Sequence, residues 1–349
     1  MRKRIDYSGK IVNVGIDVHK KSYSIVCRCE KQEVKKATIP ASPDELVKFL
    51  EFHFSGAKIC SAYEAGFSGF VLHRVLSAGG INSIVVNPSS IEVAANDKSK
   101  TDTRDARKLS TQLEDGRLKA IFIPTIDQEK DRLLTRTRSQ LVKERSRVGN
   151  QFKSRLSQFG LIPFDDETLM SVDFIDDYLR QPLDGRLHRI LLVLAEIWKQ
   201  LNNQIKDLDK EIRKKSADNK IALVYRSIPG VGPLISLILA QELGDMSQFT
   251  NEKGLFKHTG LIPTEYSSGE KRRQGHITRQ GSSRLRWILT EVAWHAIRLD
   301  PRLKEDFARI STTRGKKRAI VAIARKIIGR ARACFKKGET YQLGFGMVA

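Results

Sequence analysis

Cysteine is scarce in this chain and is poorly placed for chemistry. The 349 residues contain four cysteines, with no C-x-x-C pair and no histidine at a zinc-ligand spacing from any of them. This usage argues against a zinc module and against a disulfide framework. It fits a protein of the reducing cytoplasm.

Long apolar runs are also missing. No apolar run reaches about 18 residues, so we expect no membrane span. The basic N-terminus MRKRIDYSGK is not followed by an apolar segment, which predicts that there is no signal peptide. The chain has no nucleotide-binding P-loop and no low-complexity tract.

Acidic residues are too few to balance the basic ones. The chain has 62 Lys and Arg against 40 Asp and Glu, a formal net charge of +22. Residues 271–337 alone contain 20 Lys and Arg and four acids. This surplus points to a polyanionic partner, nucleic acid first, and predicts a binding surface in the last quarter of the chain.

The first region, residues 1–124, alternates between strands and helices. Three β-rich segments come first, IVNVGIDV, SYSIVCRC and EVKKATIP. Ser42 and Pro43 then signal a helix start, and two further strands alternate with helices, the last beginning near Thr103. Antiparallel strands followed by α/β crossovers predict a ribonuclease-H-like sheet.

The second region, residues 125–219, reads as helical. One helix is predicted over about 128–159, and a later one carries apolar residues with strict 4-3 spacing. These residues are Leu187, Leu191, Leu194, Trp198, Leu201, Ile205, Leu208 and Ile212. Such a heptad seam indicates a coiled coil, either between two helices of one chain or between two chains.

The third region, residues 220–349, is predicted to be mostly helical. It opens with IPGVGPL, a glycine-rich turn that enters an apolar helix. The turn is similar to a helix-hairpin-helix, in which backbone N–H groups face a DNA phosphate. A tight turn without any role in DNA binding explains the same motif equally well.

Four carboxylates are candidates for a metal site. Asp17 and Glu64 lie at the ends of two predicted strands, and Asp102 and Asp105 share one face at a helix start. Taken singly, each is ordinary, because strands often end in acids and acids in a first turn favour the helix dipole. As a set they can converge on a hard cation such as Mg²⁺.

The stretch from Glu265 to Arg286, EYSSGEKRRQGHITRQGSSRLR, contains almost no apolar residues. Its serines, glycines and basic residues suit a loop that holds phosphate while a serine attacks it. The composition alone favours a solvated basic loop, since no histidine is placed by sequence to activate a serine.

The motifs together resemble those of the DEDD transposases, the recombinases of IS-one-ten type insertion sequences, and the related Piv DNA invertases. The resemblance spans roughly residues 12–337. It rests on GIDVHK, YEA, NPSSIEVAANDKSKTDTRDARKLS, IPGVGPL and GLIPTEYSSGEKRRQGHITRQGSSRLR.

This resemblance implies a RuvC-like N-terminal domain whose metal-binding acids are Asp17, Glu64, Asp102 and Asp105. It also implies that Ser268 forms a covalent 5′-phosphoserine with DNA, with Ser267 as a neighbouring serine. A noncoding bridge RNA would pair with donor and target DNA, and the two domains would act together across a homo-oligomer, a tetramer.

We therefore predict a Mg²⁺-dependent transposase of an insertion sequence in the cytoplasm of a prokaryote, associated with the nucleoid. Its predicted nucleic-acid contacts are Lys100, Arg104, Lys271, Arg272, Arg273, Arg279, Arg284 and Arg286. Two alternatives stay open: a RuvC-like Holliday-junction endonuclease that uses water as its nucleophile, and a non-enzymatic nucleic-acid-binding protein.

Overall fold

A computed structural model of the chain describes residues 6–92, 101–265, 274–278 and 281–344. Its contacts form two compact units, Met1–Ile123 and Pro124–Ala349, and each has its own hydrophobic core. The boundary that the sequence suggests at residues 219–220 lies inside the second unit and stays a prediction. Among the described helices, none is long and apolar enough to cross a membrane.

In its described residues, the first unit is a five-stranded mixed sheet with three α-helices. Its elements are β1 (Ile11–Val18), β2 (Ser22–Cys29), β3 (Gln32–Pro40), α1 (Pro43–His53), β4 (Lys58–Glu64), α2 (Val71–Ala78), β5 (Asn82–Val86) and α3 (Asp102–Glu114). The strand order is β3-β2-β1-β4-β5, with β2 antiparallel to both its neighbours and β1, β4 and β5 mutually parallel. This mixed sheet confirms the predicted α/β class and is consistent with a ribonuclease-H-like domain.

The central strand β1 is buried on both faces. Val12, Val14 and Ile16 point to one face, where they share a core with residues of α1 and α2. Side chains alternate along a strand, so Gly15 lies on the opposite face, which α3 covers. Such two-sided burial explains the nearly continuous apolar run of this strand.

The second unit is mostly helical, as predicted. Its elements are α4 (Ile126–Gln158), α5 (Val172–Leu179), α6 (Gly185–Asp218), α7 (Lys220–Arg226), α8 (Pro233–Leu243), α9 (Glu252–Thr259), β6 (Pro263–Glu265), β7 (Gln274–Ile277), α10 (Ser283–Leu299), α11 (Pro301–Arg314) and α12 (Lys316–Lys337). The short strands β6 and β7 pair antiparallel.

The long helices α4 and α6 form an antiparallel pair within the chain. Lys215 donates to Asp131 at 2.8 Å and, two turns further along α4, Arg138 donates to Asp209 at 2.9 Å. From the first contact to the second, the residue number rises along α4 and falls along α6, so the two helices are antiparallel. All eight residues of the heptad seam are buried or half-buried, and at one end they pack against apolar residues of α4.

Phe152 of α4 tests how strongly this pairing stabilises the unit. Its side chain is fully buried, whereas Phe164, in the connection after α4, is 92 % exposed. We expect Phe152→Ala to lower the free energy of unfolding by about 3–5 kcal/mol, through lost burial and the cavity it leaves. Phe164→Ala should change it by about 0.5 kcal/mol or less. Chemical denaturation of both variants measures this, and equal effects would contradict the packing.

The turn IPGVG connects α7 to α8 and packs against α10. Gly230 has a φ of +83°, and a Cβ at this position would lie 2.6 Å from the Cβ of His295 in α10. Glycine is therefore required here for both backbone conformation and close packing. The predicted helix-hairpin-helix role of this turn stays a prediction.

Candidate active site

The C-terminal ends of β1 and β4 bring two of the candidate acids to one edge of the sheet. These strands are parallel, and the register that pairs Ile16 with Tyr63 sets Asp17 beside Glu64 at the next step. Both carboxylates are half-buried. The two acids lie together because each immediately follows the apolar residues of its strand and the two strands are parallel neighbours.

Helix α3 adds the other two acids through an unusually close approach to β1. A Cβ on Gly15 would lie 2.0 Å from the carbonyl oxygen of Ala106 and 2.5 Å from the backbone nitrogen of Ser110. Only glycine allows the helix to lie against the strand at this distance. Asp17 shares this face of β1, so the first turn of α3, with Asp102 and Asp105, comes to its side.

Gly15 is thus expected to position the site without contributing chemistry. Gly15→Ala would force α3 away from β1, at a cost of about 1–3 kcal/mol from overpacking. Thermal denaturation should show this loss. Gly185→Ala is the matched control, because nothing lies within 4 Å of its added Cβ. If Gly15→Ala unfolded at the same temperature as the control, the inferred close contact between α3 and β1 would be contradicted.

A histidine lies between two of the acids. The Nε2 atom of His19 is 3.1 Å from an oxygen of Asp17 and 3.3 Å from an oxygen of Asp102. One ligand atom from each of these three residues falls within 4.8 Å of the others. Asp105 lies next to this cluster on α3, where Lys108 pairs with it at 3.4 Å.

The electrostatics of Asp17 reflect this crowding. Burial raises the pKa of its carboxyl above the ordinary value, and the nearby charges of Asp102 and Asp105 raise it further. His19 acts in the opposite direction, by its charge and by its hydrogen bond. A group in this position gains from a bound cation, which would offset both the burial and the mutual repulsion.

The donor set suits a divalent metal. Carboxylate oxygens are the preferred ligands of Mg²⁺, whereas Nε2 of His19 contacts both carboxylates and could ligate a metal only by giving up those contacts. Asp17, His19 and Asp102 are the residues whose ligand atoms already lie together. Glu64 and Asp105, both among the described residues, are not part of this group of three.

Of the predicted basic contacts near the acids, Arg104 is exposed on α3. Lys100 lies outside the described residues. Arg107, on the same helix, donates to Glu33 at 2.7 Å, which joins α3 to β3.

The hairpin that contains the predicted nucleophile is described only at its base. Ser268 and Ser267 lie outside the described residues, as do Lys271, Arg272, Arg273 and Arg279. The base is held firmly, since Thr278 donates to the carbonyl of Ile262 at 2.8 Å and Ser282 to that of His258 at 3.0 Å. Gly281, with a φ of +99°, lies so close to His258 that a Cβ would be 2.4 Å from the same carbonyl oxygen.

Two predicted nucleic-acid contacts lie at the start of α10, and they differ. Arg284 donates to the carbonyl of Thr135 in α4 at 2.9 Å and lies 3.8 Å from Glu242 of α8. Through these contacts Arg284 joins α10 to α4 and α8, which favours a structural role for its side chain. Arg286 is half-buried, with one guanidinium nitrogen that has no hydrogen-bond partner in the described part of the chain.

Sequence reasoning missed His19 and Gly15 as contributors to the site. His19 follows Asp17 by two residues in GIDVHK, so alternation along the strand was the available signal that both side chains share a face. Nothing local distinguishes Gly15, because its role depends on a helix about 90 residues further along.

Comparison with known proteins gives two family matches. Residues 14–160, which include all four candidate acids, match a DEDD transposase model of the IS110 type. Residues 223–308, which include Ser268, match a model described as the transposase IS116/IS110/IS902 family.

Individual relatives agree with these matches. The chain is 29 % identical to a putative transposase, y4qE, of Sinorhizobium fredii, over 74 % of this chain and 63 % of that protein. It is 26 % identical to the transposase for insertion sequence element IS1328 of Yersinia enterocolitica, over 80 % of this chain and 82 % of that one. It is also 26 % identical to the transposase for insertion sequence element IS1111A of Coxiella burnetii, over 82 % and 80 % respectively.

Proposed function

The chain belongs to the IS116/IS110/IS902 family of transposases, which cleave and rejoin DNA, and from this premise we propose how its own residues do so. Asp17, Glu64, Asp102 and Asp105 form the metal-binding centre, with Mg²⁺ as the cofactor. Ser268 is the nucleophile, and the substrates are the donor and target DNA of an insertion sequence.

The observation that carries this proposal is the convergence of Asp17, His19 and Asp102 at the end of β1. Two acids and an imidazole, drawn from a strand end and a helix start, meet within 4.8 Å in a chain of net charge +22. An acidic centre on a basic protein is what phosphodiester chemistry needs, because the protein attracts DNA and the centre holds the cation.

The divalent ion, when bound, would neutralise charge on the scissile phosphate and favour the alkoxide form of the nucleophile. The protein's own residues hold the acids in position. The close contact at Gly15 sets α3 against β1, so Asp102 and Asp105 are held beside Asp17. His19 links Asp17 and Asp102 through Nε2, and this contact orients both carboxylates.

Ser268 acts by direct displacement at phosphorus. Its Oγ forms a bond to phosphorus, the bond from phosphorus to the 3′ oxygen breaks, and the 3′ oxygen leaves as a hydroxyl after it takes up a proton. The DNA 5′ end stays joined to the serine. Because the phosphoserine is itself a phosphate diester, the reverse step rejoins a strand without ATP.

The remaining parts of the proposal concern partners. The basic C-terminal quarter binds DNA and a structured bridge RNA, which selects the sites by base pairing. The working assembly is a homo-oligomer, a tetramer, in the cytoplasm at the nucleoid. The coiled coil of α4 and α6 and the helix-hairpin-helix turn before α8 are supporting elements of this assembly.

Metal binding tests the centre without any need for DNA. We expect Asp17→Asn to weaken binding of Mn²⁺, and of Mg²⁺, by about 100-fold, measured by isothermal titration calorimetry. Asp127→Asn is the matched control, because Asp127 is 92 % exposed on α4. Equal affinities in the wild type and Asp17→Asn would contradict a metal centre at the end of β1.

A further inference from the structure

A cavity lies in the C-terminal unit beside the paired strands β6 and β7. It has a volume of about 450 Å³ and is bounded by β6, β7, α11 and α12. That volume falls in the range of roughly 300–1,000 Å³ that is typical of ligand sites. The cavity is partly open to solvent, so a ligand can enter it.

Among the residues that the structure describes, four cations line this cavity and no carboxylate does. They are Arg314 at the end of α11 and Lys317, Arg318 and Arg325 on α12. No described carboxylate forms an ion pair with any of the four. Their mutual repulsion would be relieved by a bound anion.

Arg325 is the most informative of these residues. Its Nε is buried and has no hydrogen-bond partner among the residues described. Its guanidinium lies 4.8 Å above the ring of Phe256, which holds the side chain in place. A buried donor left unpaired is costly, so the site is built to receive an acceptor.

Apolar side chains line the cavity beside these cations. They are Leu261, Ile310, Val321 and Ala322, and Ala322 lies on the same face of α12 as Arg318 and Arg325. Apolar side chains beside a set of cations fit a nucleotide, whose base has apolar faces and whose phosphate is anionic. Inorganic phosphate alone would leave the apolar side chains unused.

The position of the cavity in the chain indicates which nucleic acid would occupy it. Pro263 of β6 and Gly275, His276 and Ile277 of β7 line the cavity, and the loop between these two strands contains Ser268. Only residues 266–273 separate the two strands in sequence, so the strand that Ser268 attacks under the proposed function is the candidate ligand for this cavity.

We propose that the cavity binds one unpaired nucleotide of the DNA strand that Ser268 cleaves. The base lies against Val321 and Ala322, and its phosphate contacts Arg314, Arg318 and Arg325. The site thereby fixes the register of the strand relative to the nucleophile. The choice of DNA as the ligand rests on the proposed function.

The test measures equilibrium binding and needs no cleavage. A single-stranded DNA oligonucleotide with the sequence of the element end is labelled and titrated with full-length Ser268→Ala. A series of strands carries one abasic site, moved by one position at a time. We expect one position to lower affinity by about tenfold, because that strand loses roughly 50 Å² of apolar contact between its base and the cavity, at about 25 cal/mol per Å².

Two variants locate that effect in the cavity. Ala322→Trp fills the cavity and should abolish the difference between abasic and intact strands. Arg314→Ala should weaken binding of every strand and reduce the slope of log affinity against log salt by about 1. Lys304→Ala removes the same charge from an exposed position of α11 outside the cavity, and it should preserve the abasic effect.

Equal affinity for all the abasic strands would overturn the proposal. It would also fall if only an RNA strand of the same sequence showed the positional effect, or if Ala322→Trp retained it while folded by circular dichroism. An abasic effect without any covalent DNA adduct in the wild type would leave the cavity assignment standing and overturn the serine mechanism instead.

Discussion

Asp17→Asn, Glu64→Gln, Asp102→Asn and Asp105→Asn should each reduce strand exchange by about 10⁴-fold or more, with the fold intact. Amides keep the size of the acids and one acceptor oxygen, but they remove the charge that a divalent ion requires. At Asp17 the neutral group also removes the cost of burying an anion, which is the leading cause of its raised pKa. Stability should therefore be unchanged or slightly higher while activity is lost.

The losses of activity caused by the four substitutions should not be additive. If the acids act as one centre, the double variant Asp17→Asn with Asp102→Asn should be about as inactive as either single variant. Glu51→Gln, an exposed acid on α1, is the control and should retain full activity. Recombination between two plasmids in Mg²⁺, scored by the yield of joined product, measures all of these. A double variant with near-native activity would contradict the metal centre.

Ser268→Ala should abolish cleavage, strand exchange and the covalent DNA adduct together. Loss of the nucleophile of a covalent mechanism reduces turnover by about 10⁴-fold or more. DNA binding should be retained, because one hydroxyl contributes little to an interface dominated by the charge of the C-terminal quarter.

Ser267→Ala is the internal control for that result. It removes the same hydroxyl one residue earlier and should have a far smaller effect on strand exchange. The Holliday-junction alternative makes a different prediction, since water would replace serine as the nucleophile. Robust cleavage by Ser268→Ala would support that alternative.

Much of the local structure follows from the sequence alone. Ser42 does accept a hydrogen bond from the backbone N–H of Glu45 at the start of α1, as its position before Pro43 predicts. Asp17 and Glu64 do lie at the ends of adjacent strands, because an acid interrupts each apolar run at the point where burial ends. These features depend on neighbours in sequence, and local patterns describe them well.

Features that depend on distant contacts could not be predicted in this way. Gly15 looks like any strand glycine until α3 is placed against it. Arg284 stays a predicted DNA contact, and nothing near it in the sequence indicates that its guanidinium also joins α10 to α4 and α8. The heptad seam did not specify its partner, and the structure places α4 of the same chain there.

The most direct measurement is to identify the atom that is joined to DNA. The protein is incubated with a labelled element end in Mg²⁺, trapped with denaturant and digested, and the DNA-linked peptide is sequenced by mass spectrometry. The account predicts a phosphodiester between Ser268 and a DNA 5′ end, with a free 3′ hydroxyl on the other fragment. An adduct on Ser267, or cleavage that leaves a free 5′ phosphate and no adduct, would contradict it.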